Sequence, residues 1–349
     1  MNLQYYPFLL ILPCVTLILL NYILPPPPAP PPPSQSCALV TGTSSGIGRH
    51  AALELAYQGF LVFATVRSPK DGKSLLAEYE NHNPGVISII PIELDVTSSP
   101  SLLDEQRRVI VDKCKSAKRE LTVLVNNAGV VDLAPIELAD LPSVRHTFEV
   151  NFFGLLKLIQ AFVPEIRDGV ANLRSRQTSR GGNPSSTNFG GRIVNVGSVA
   201  GFSTPPFYGI YAASKHAVEA VSDALRNEIS DDIFVSLVQP GAVLTEIEKK
   251  MSDQLEDRVE QLGVGGKVAK TYATRMRQFT LGLSKAMETD FTRRVSFSTT
   301  EHTTRAILDA IKSKLPRTRY LVGVDAKLIF TLKCLLPDRV LDYILRKFL

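Results

Sequence analysis

Short apolar runs recur along this chain, at 36–41, 60–66, 86–94, 121–125, 192–196 and 233–238. Each is near-continuously hydrophobic, as a strand buried on both faces must be. Between them apolar residues return at helical spacing. Ile47, Ala51, Leu55 and Ala56 share one face, and similar patterns cover 102–118, 141–163 and 300–315. Strands alternating with helices predict an α/β fold of Rossmann type: one doubly wound parallel sheet with helices on both faces, over 36–325. Ligands of such sheets sit beyond the carboxyl ends of the strands. Gly42, Arg67, Asp95 and Asn127 all fall at predicted strand ends.

The two ends of the chain follow other patterns. Residues 7–24 form an uncharged apolar run, short for a membrane-spanning helix and interrupted by Pro13 and Asn21. No side-chain charge precedes Arg49, and prolines follow at once. A cleaved signal peptide would carry a basic start and a small-residue cleavage site, so residues 1–24 read as an uncleaved membrane anchor. Residues 25–35 are dominated by proline and predict a stiff extended spacer, with recognition by a proline-binding module as a second use. At the other end, 326–349 places apolar residues at helical spacing among basic ones. That suits a tail lying on a bilayer, or equally one packed on the domain or on a second subunit.

Composition narrows the partners. The 349 residues carry a net charge of +5 without a long basic run, which fits a phosphorylated cofactor or a membrane surface and argues against nucleic acid. Cys14, Cys37, Cys114 and Cys334 are far apart, and the five histidines are scattered. Neither a disulfide framework nor a metal site is expected.

Candidate chemistry begins at Gly42-Thr43-Ser44-Ser45-Gly46-Ile47-Gly48, a glycine-rich turn between the first strand and the first helix. Glycine lets the backbone approach a ligand closely, and the helix start offers unpaired amides to a pyrophosphate. The second strand ends in Thr65-Val66-Arg67 with no acidic residue. An acid there would hold a ribose hydroxyl, whereas an arginine accommodates the 2′-phosphate, so NADP is expected over NAD. Further on, Tyr211 and Lys215 lie four apart in a helical stretch, on one face. A neighbouring cation favours a phenolate, so Tyr211 is expected to be more acidic than a free tyrosine and to act in proton transfer.

These pieces occur in one order: Thr41-Gly42-x-x-x-Gly46-x-Gly48, Asp95, Asn126-Asn127-Ala128-Gly129, Asn151, Ser198, Tyr211-x-x-x-Lys215 and Pro240-Gly241. Together they resemble the short-chain dehydrogenase/reductase family, and most of all its membrane-associated hydroxysteroid and retinol dehydrogenase branch. The resemblance implies that Tyr211 is the general acid/base. Lys215 would lower its pKa and hold the nicotinamide ribose, and Ser198 would bond the substrate oxygen. Asn151 would kink a helix and hold a water in a relay from Lys215 to solvent. It also implies that Asp95 and Val96 bound the adenine, that Asn127, Ala128 and Gly129 line the ribose side, and that Ser44, Ser45, Ile47 and Arg67 surround the phosphates. Pro240, Gly241, Val243 and Thr245 would flank the nicotinamide. One departure is Gly197, where many relatives have serine.

The expected activity is NADP(H)-dependent interconversion of an alcohol and a ketone or aldehyde on a lipophilic substrate such as a steroid or retinoid. A ketosphinganine or acyl-dihydroxyacetone-phosphate reductase is the rival enzyme, and a cofactor-sensing membrane scaffold the rival from another class. The long segment 246–297 would cover a bulky substrate. The polar stretch 168–191 reads as a long loop at the amino end of the fifth strand, without a catalytic role. Location in the endoplasmic reticulum membrane with the domain in the cytosol is expected, and family habit allows a homodimer.

Overall fold

The computed structural model describes residues 27–179, 188–243, 257, 259–260, 264–288 and 298–348. Seven strands form one sheet: β1 (Ser36–Val40), β2 (Leu61–Val66), β3 (Ile89–Glu93), β4 (Glu120–Asn126), β5 (Gly191–Val196), β6 (Ile233–Pro240) and β7 (Arg319–Val322). Their order is β3-β2-β1-β4-β5-β6-β7, and every pair is parallel. The chain reverses its direction of travel across the sheet between β1 and β4, which opens a crevice at their carboxyl ends.

Alternation along the strands builds two cores. Cys37 and Leu39 of β1, with Phe63 and Leu124, face Phe162 and Ile166. Ala38 and Val40, with Val62 and Val125, face Leu55, Leu75 and Ile307. Both faces are therefore dry, which is why the strands read as continuous apolar runs. The covering helices are α1 (Gly46–Tyr57), α2 (Pro69–His82), α3 (Pro100–Ser116), α4 (Leu141–Phe148), α5 (Leu155–Thr178) and α6 (Gly209–Glu228), then α7 (Lys267–Glu288) and α8 (Thr300–Lys312). Two more, α9 (Val324–Leu335) and α10 (Asp338–Phe348), form the tail. A π-helical turn, Glu149–Gly154, joins α4 to α5.

Differences from the sequence expectations are local. The helix α2 and the edge strand β7 have no counterpart among the predicted elements. The expected loop at 168–191 is helical as far as Thr178, because Ile166, Gly169, Val170 and Leu173 continue the buried face of α5. The apolar run 7–24 lies outside the described residues, and among the described residues no helix is long and apolar enough to cross a membrane.

The proline spacer does not stand free over its described part. Ala29 pairs with Phe189 in a parallel bridge, and the Arg192 guanidinium donates to the Pro28 carbonyl at 2.7 Å. Arg119 likewise donates to the carbonyls of Pro33 and Gly59. Carbonyls of a polyproline segment have no partners of their own, so two arginines at the amino end of the sheet can strap it down. Arg192 is fully buried in doing so, and burial brings its pKa down to about 10.

Candidate active site

The glycine turn after β1 is held from three sides. Gly42 N–H donates to Thr65 Oγ1 at 3.2 Å, Thr43 bonds the Thr65 carbonyl, and Thr41 Oγ1 accepts the amides of Asn127 and Ala128 at 3.0 Å each. Asn127 turns its own amide group onto the carbonyls of Thr41 and Gly42. Its side chain thus staples the turn to the end of β4, a role that spacing alone does not reveal.

Gly42 has φ +68°, and a Cβ there would come within 2.8 Å of Ala128 Cα. A Cβ on Gly48 would overlap Gly42 O and the Asn127 side chain. Both positions therefore require glycine. The other helices with serine, threonine or aspartate N-caps use them, as Ser68, Ser99, Asp140 and Thr299 do. Ser45, the N-cap of α1, makes no side-chain capping bond. The first amides of α1 and the Ser45 hydroxyl are consequently left to an outside acceptor, as a pyrophosphate cradle demands. Ser44 and Ile47 flank this cradle, Ile47 resting partly on the core.

Arg67 follows β2, exposed, and makes no hydrogen bond or ion pair among the described residues. Asp95, after β3, accepts both Thr97 N–H at 2.8 Å and Thr97 Oγ1 at 2.7 Å. Burial works to raise its carboxyl, but the Thr97 bonds, with Arg67 and His146 nearby, carry it below the ordinary carboxylate range. Val96 packs where a side chain at Gly154 would have to stand. These residues occupy neighbouring strand ends on one side of the crevice.

On the other side stand Ser198, Tyr211 and Lys215. Ser198 follows β5, accepts Ala200 N–H at 3.1 Å and hydrogen-bonds the Tyr211 phenol. Lys215 is buried, donates to the Val196 carbonyl at 2.9 Å, and sits with Nζ 5.8 Å from the Tyr211 ring centre. Asn151, in the π-turn, donates to the Val130 carbonyl and Ser214 Oγ and accepts Val130 N–H at 2.8 Å. Its side chain ties the helix carrying Lys215 to the segment after β4. The extra residue of the π-turn aims it there.

The acidified phenol expected for Tyr211 is not found. Burial pushes its pKa above the usual value, with the Ser198 bond opposing. Lys215 is itself pulled down to about 8 by burial, with Glu219 opposing. Desolvation sets the direction for both groups, and the Lys215 ammonium is directed to Val196 O.

Three residues were missed from sequence. Asn195 accepts Asn126 Nδ2 at 2.8 Å and donates to Ser222, a polar ladder inside β4, β5 and α6. Glu219, four residues after Lys215, accepts Gln239 Nε2 at 2.7 Å behind the Ser198 segment. Asp325 accepts Ala242 N–H beneath the loop after β6. Pro240 ends β6, Gly241 follows it, and Val243 is buried, bridged to Ser298. Thr245 lies outside the described residues.

An apolar wall adjoins Tyr211. Its ring meets Tyr208 edge-on at 6.2 Å, Tyr208 meets Phe279 at 6.1 Å, and Phe279 meets Phe207 at 5.6 Å. Leu133, Ala273 and Met276 complete the cluster. Phe207 holds φ +69°, an uncommon conformation for a bulky side chain, fixed by Ala134 N–H on its carbonyl.

Comparison with known proteins agrees with this geometry. The family model for short chain dehydrogenase matches residues 36–256. An NADPH-dependent 3-dehydrocapnine reductase from Ornithobacterium rhinotracheale is 30% identical over 314 residues, spanning 89% of this chain and 96% of the relative. Retinol dehydrogenase 8 of Bos taurus is 34% identical over 223 residues, 62% of either chain. A crystal structure of a short chain dehydrogenase from Burkholderia cenocepacia in complex with NADP shares the fold, with TM-score 0.59 over 89% of this chain and 98% of its own at 22% identity. With a glycine cradle, a Ser–Tyr–Lys group and a family match across most of the sheet, the chain belongs to the short-chain dehydrogenase/reductase family of oxidoreductases acting on CH–OH groups.

Proposed function

We propose that this protein is an NADP(H)-dependent reductase of a ketone or aldehyde on a lipophilic substrate. The observation that carries the reading is the Ser198–Tyr211–Lys215 group set against an aromatic wall. The turn from Gly42 to Gly48 fits a dinucleotide pyrophosphate, since its glycines leave no room for side chains and its helix amides are uncapped. Arg67 and Ser45 fit the 2′-phosphate, and Asp95 and Val96 the adenine. When bound, NADPH supplies the hydride.

The chain's own groups manage the oxygen and the proton. Ser198 and Tyr211 present two hydroxyls to one substrate oxygen, where charge grows during reduction. Tyr211 is a protonated phenol at neutral pH, the form that donates as the carbonyl becomes an alcohol. Lys215 steadies the phenolate that results and, with a pKa near 8, exchanges protons close to neutrality. Asn151 holds the Lys215 helix in place through Ser214. Half-buried Tyr208 and Phe207, backed by the buried Phe279 and Met276, offer the substrate a surface without charge, which favours a steroid, retinoid or similar body.

Membrane attachment belongs to the same reading. The apolar run 7–24 is the anchor, and the tail adds exposed Leu328, Leu335 and Tyr343 beside Lys327, Arg339 and Arg346. The endoplasmic reticulum, with the domain in the cytosol, suits both. The docking of Pro28 and Pro33 onto the domain weighs against the scaffold alternative, because a bound proline segment is not free to recruit partners.

NADPH oxidation followed with a panel of steroid, retinoid and acyl-chain ketones tests the proposal and separates it from an acyl-chain reductase. Activity on acyl ketones alone would replace the substrate assignment, and activity on none would remove it. Arg67→Ala should weaken NADPH binding by roughly 10- to 100-fold, the worth of a charge-assisted contact, and leave NADH unmoved. Equal losses for both cofactors in calorimetry would count against the phosphate assignment.

A further inference from the structure

The loop after β6 is held by a carboxylate from the far end of the chain. Ala242 has both backbone polar groups engaged: its N–H donates to Asp325 Oδ2 at 2.7 Å, and its carbonyl accepts Ser298 N–H at 2.9 Å. Asp325 stands in the first turn of α9. The fit is close on two sides. A Cβ on Gly241 would overlap the Asp325 carboxylate, and one on Gly323, at φ +103°, would meet both Asp325 Oδ1 and Ser298 Oγ. Those two oxygens are buried without a hydrogen-bond partner. Leaving a buried polar atom unmatched costs about 1–3 kcal/mol, so Asp325 Oδ1 burdens the fold while Oδ2 holds Ala242 N–H. The carboxylate is therefore poor economy as packing and useful only through what it holds.

We infer that Asp325 is a positioning residue for the reaction, pinning Ala242 so that Gly241–Val243 offers a fixed edge to the nicotinamide half of the cofactor. This rests on the reading of that loop as the nicotinamide side of the site. Pinning matters because a shift of about 1 Å at a reacting carbon costs on the order of a hundredfold in rate. The Ala242 amide has one donor, and a charged acceptor holds it more strongly than a neutral one. The link also ties the segment after β7 to the cofactor crevice, joining the tail helices to the site.

Calorimetry on the full chain with two probes tests the inference: NADPH, and adenosine 2′,5′-bisphosphate, which occupies only the adenine half. Asp325→Ala should weaken NADPH roughly tenfold, the worth of one charge-assisted bond, and lower kcat, while the bisphosphate binds as before. Asp325→Asn keeps an acceptor for Ala242 N–H and should recover most of the loss. Unchanged NADPH binding and kcat in Asp325→Ala would overturn the inference. Should that variant lose both probes, Gly241→Ala decides, since its methyl group displaces the same carboxylate; selective loss of NADPH supports the pin, and equal loss overturns it. Failure of NADPH to bind the unsubstituted chain would take down the cofactor assignment and the pin together, and it shows before any substitution is made.

Discussion

Replacing Tyr211 by phenylalanine is expected to cut carbonyl reduction by about three orders of magnitude, within the usual range for removing a general acid, and to leave NADPH affinity within roughly twofold. The ring stays: its edge contact with Tyr208 and its face toward Lys215 do not involve the hydroxyl. What disappears is the proton donor and the acceptor of the Ser198 hydrogen bond. Steady-state kinetics and a calorimetric NADPH titration read the two quantities separately, and retained turnover would sink the mechanism. The unsubstituted enzyme has a matching pH signature. Burial raises the phenol, so it is protonated through the neutral range, and reduction should be flat there. The alkaline limb should set in near pH 8, where Lys215 loses the charge that steadies the phenolate. Alcohol oxidation needs the phenolate, which burial holds above the usual tyrosine value, and should climb only at still more alkaline pH.

That protonation state is the point at which the sequence misleads. Spacing shows that Lys215 shares a face with Tyr211, but not how much water either keeps. Burial raises the phenol, and the Lys215 ammonium is turned to Val196 O. Elsewhere legibility follows burial. Strands β1, β2, β4, β5 and β6 are buried on both faces and so wrote continuous apolar runs into the chain. The edge strand β7 is four residues long, with Arg319 and Leu321 only partly covered, and gives no such run. Helix α2 buries only Gly72, Leu75 and Tyr79 among charged neighbours, too thin a stripe to stand out. The end of α5 was readable from Ile166, Val170 and Leu173, but the polar residues between them suggested a loop. The chemistry at strand ends was visible because glycine, asparagine and the Tyr–Lys pair are local motifs. The contact from Asp325 to Ala242 spans 83 positions and exists only once β6 and β7 are paired.

Lys215→Met is expected to abolish turnover and yet make the fold more stable at pH 7. The native lysine has its pKa moved from 10.5 to about 8 because burial penalises its charge. That difference, about 2.5 units at 1.36 kcal/mol each, means that the ammonium costs the folded state on the order of 3 kcal/mol below pH 8. Methionine fills a similar volume without charge. It forfeits the hydrogen bond to Val196 O, worth about 1 kcal/mol, so a net gain of roughly 1–2 kcal/mol remains. The sign of the pH dependence is distinctive. Between pH 8 and 10.5 the unfolded chain keeps a proton that the folded chain has released, so the native protein gains stability as pH rises through that window. The advantage of the methionine variant must therefore shrink across it. Urea denaturation at pH 7 and pH 9.5 checks both statements; a variant less stable at pH 7, or an advantage that grows with pH, would refute the account. An active site that retains an ammonium against the preference of its own fold has given up stability for a proton relay, and no packing argument accounts for a lysine at that position.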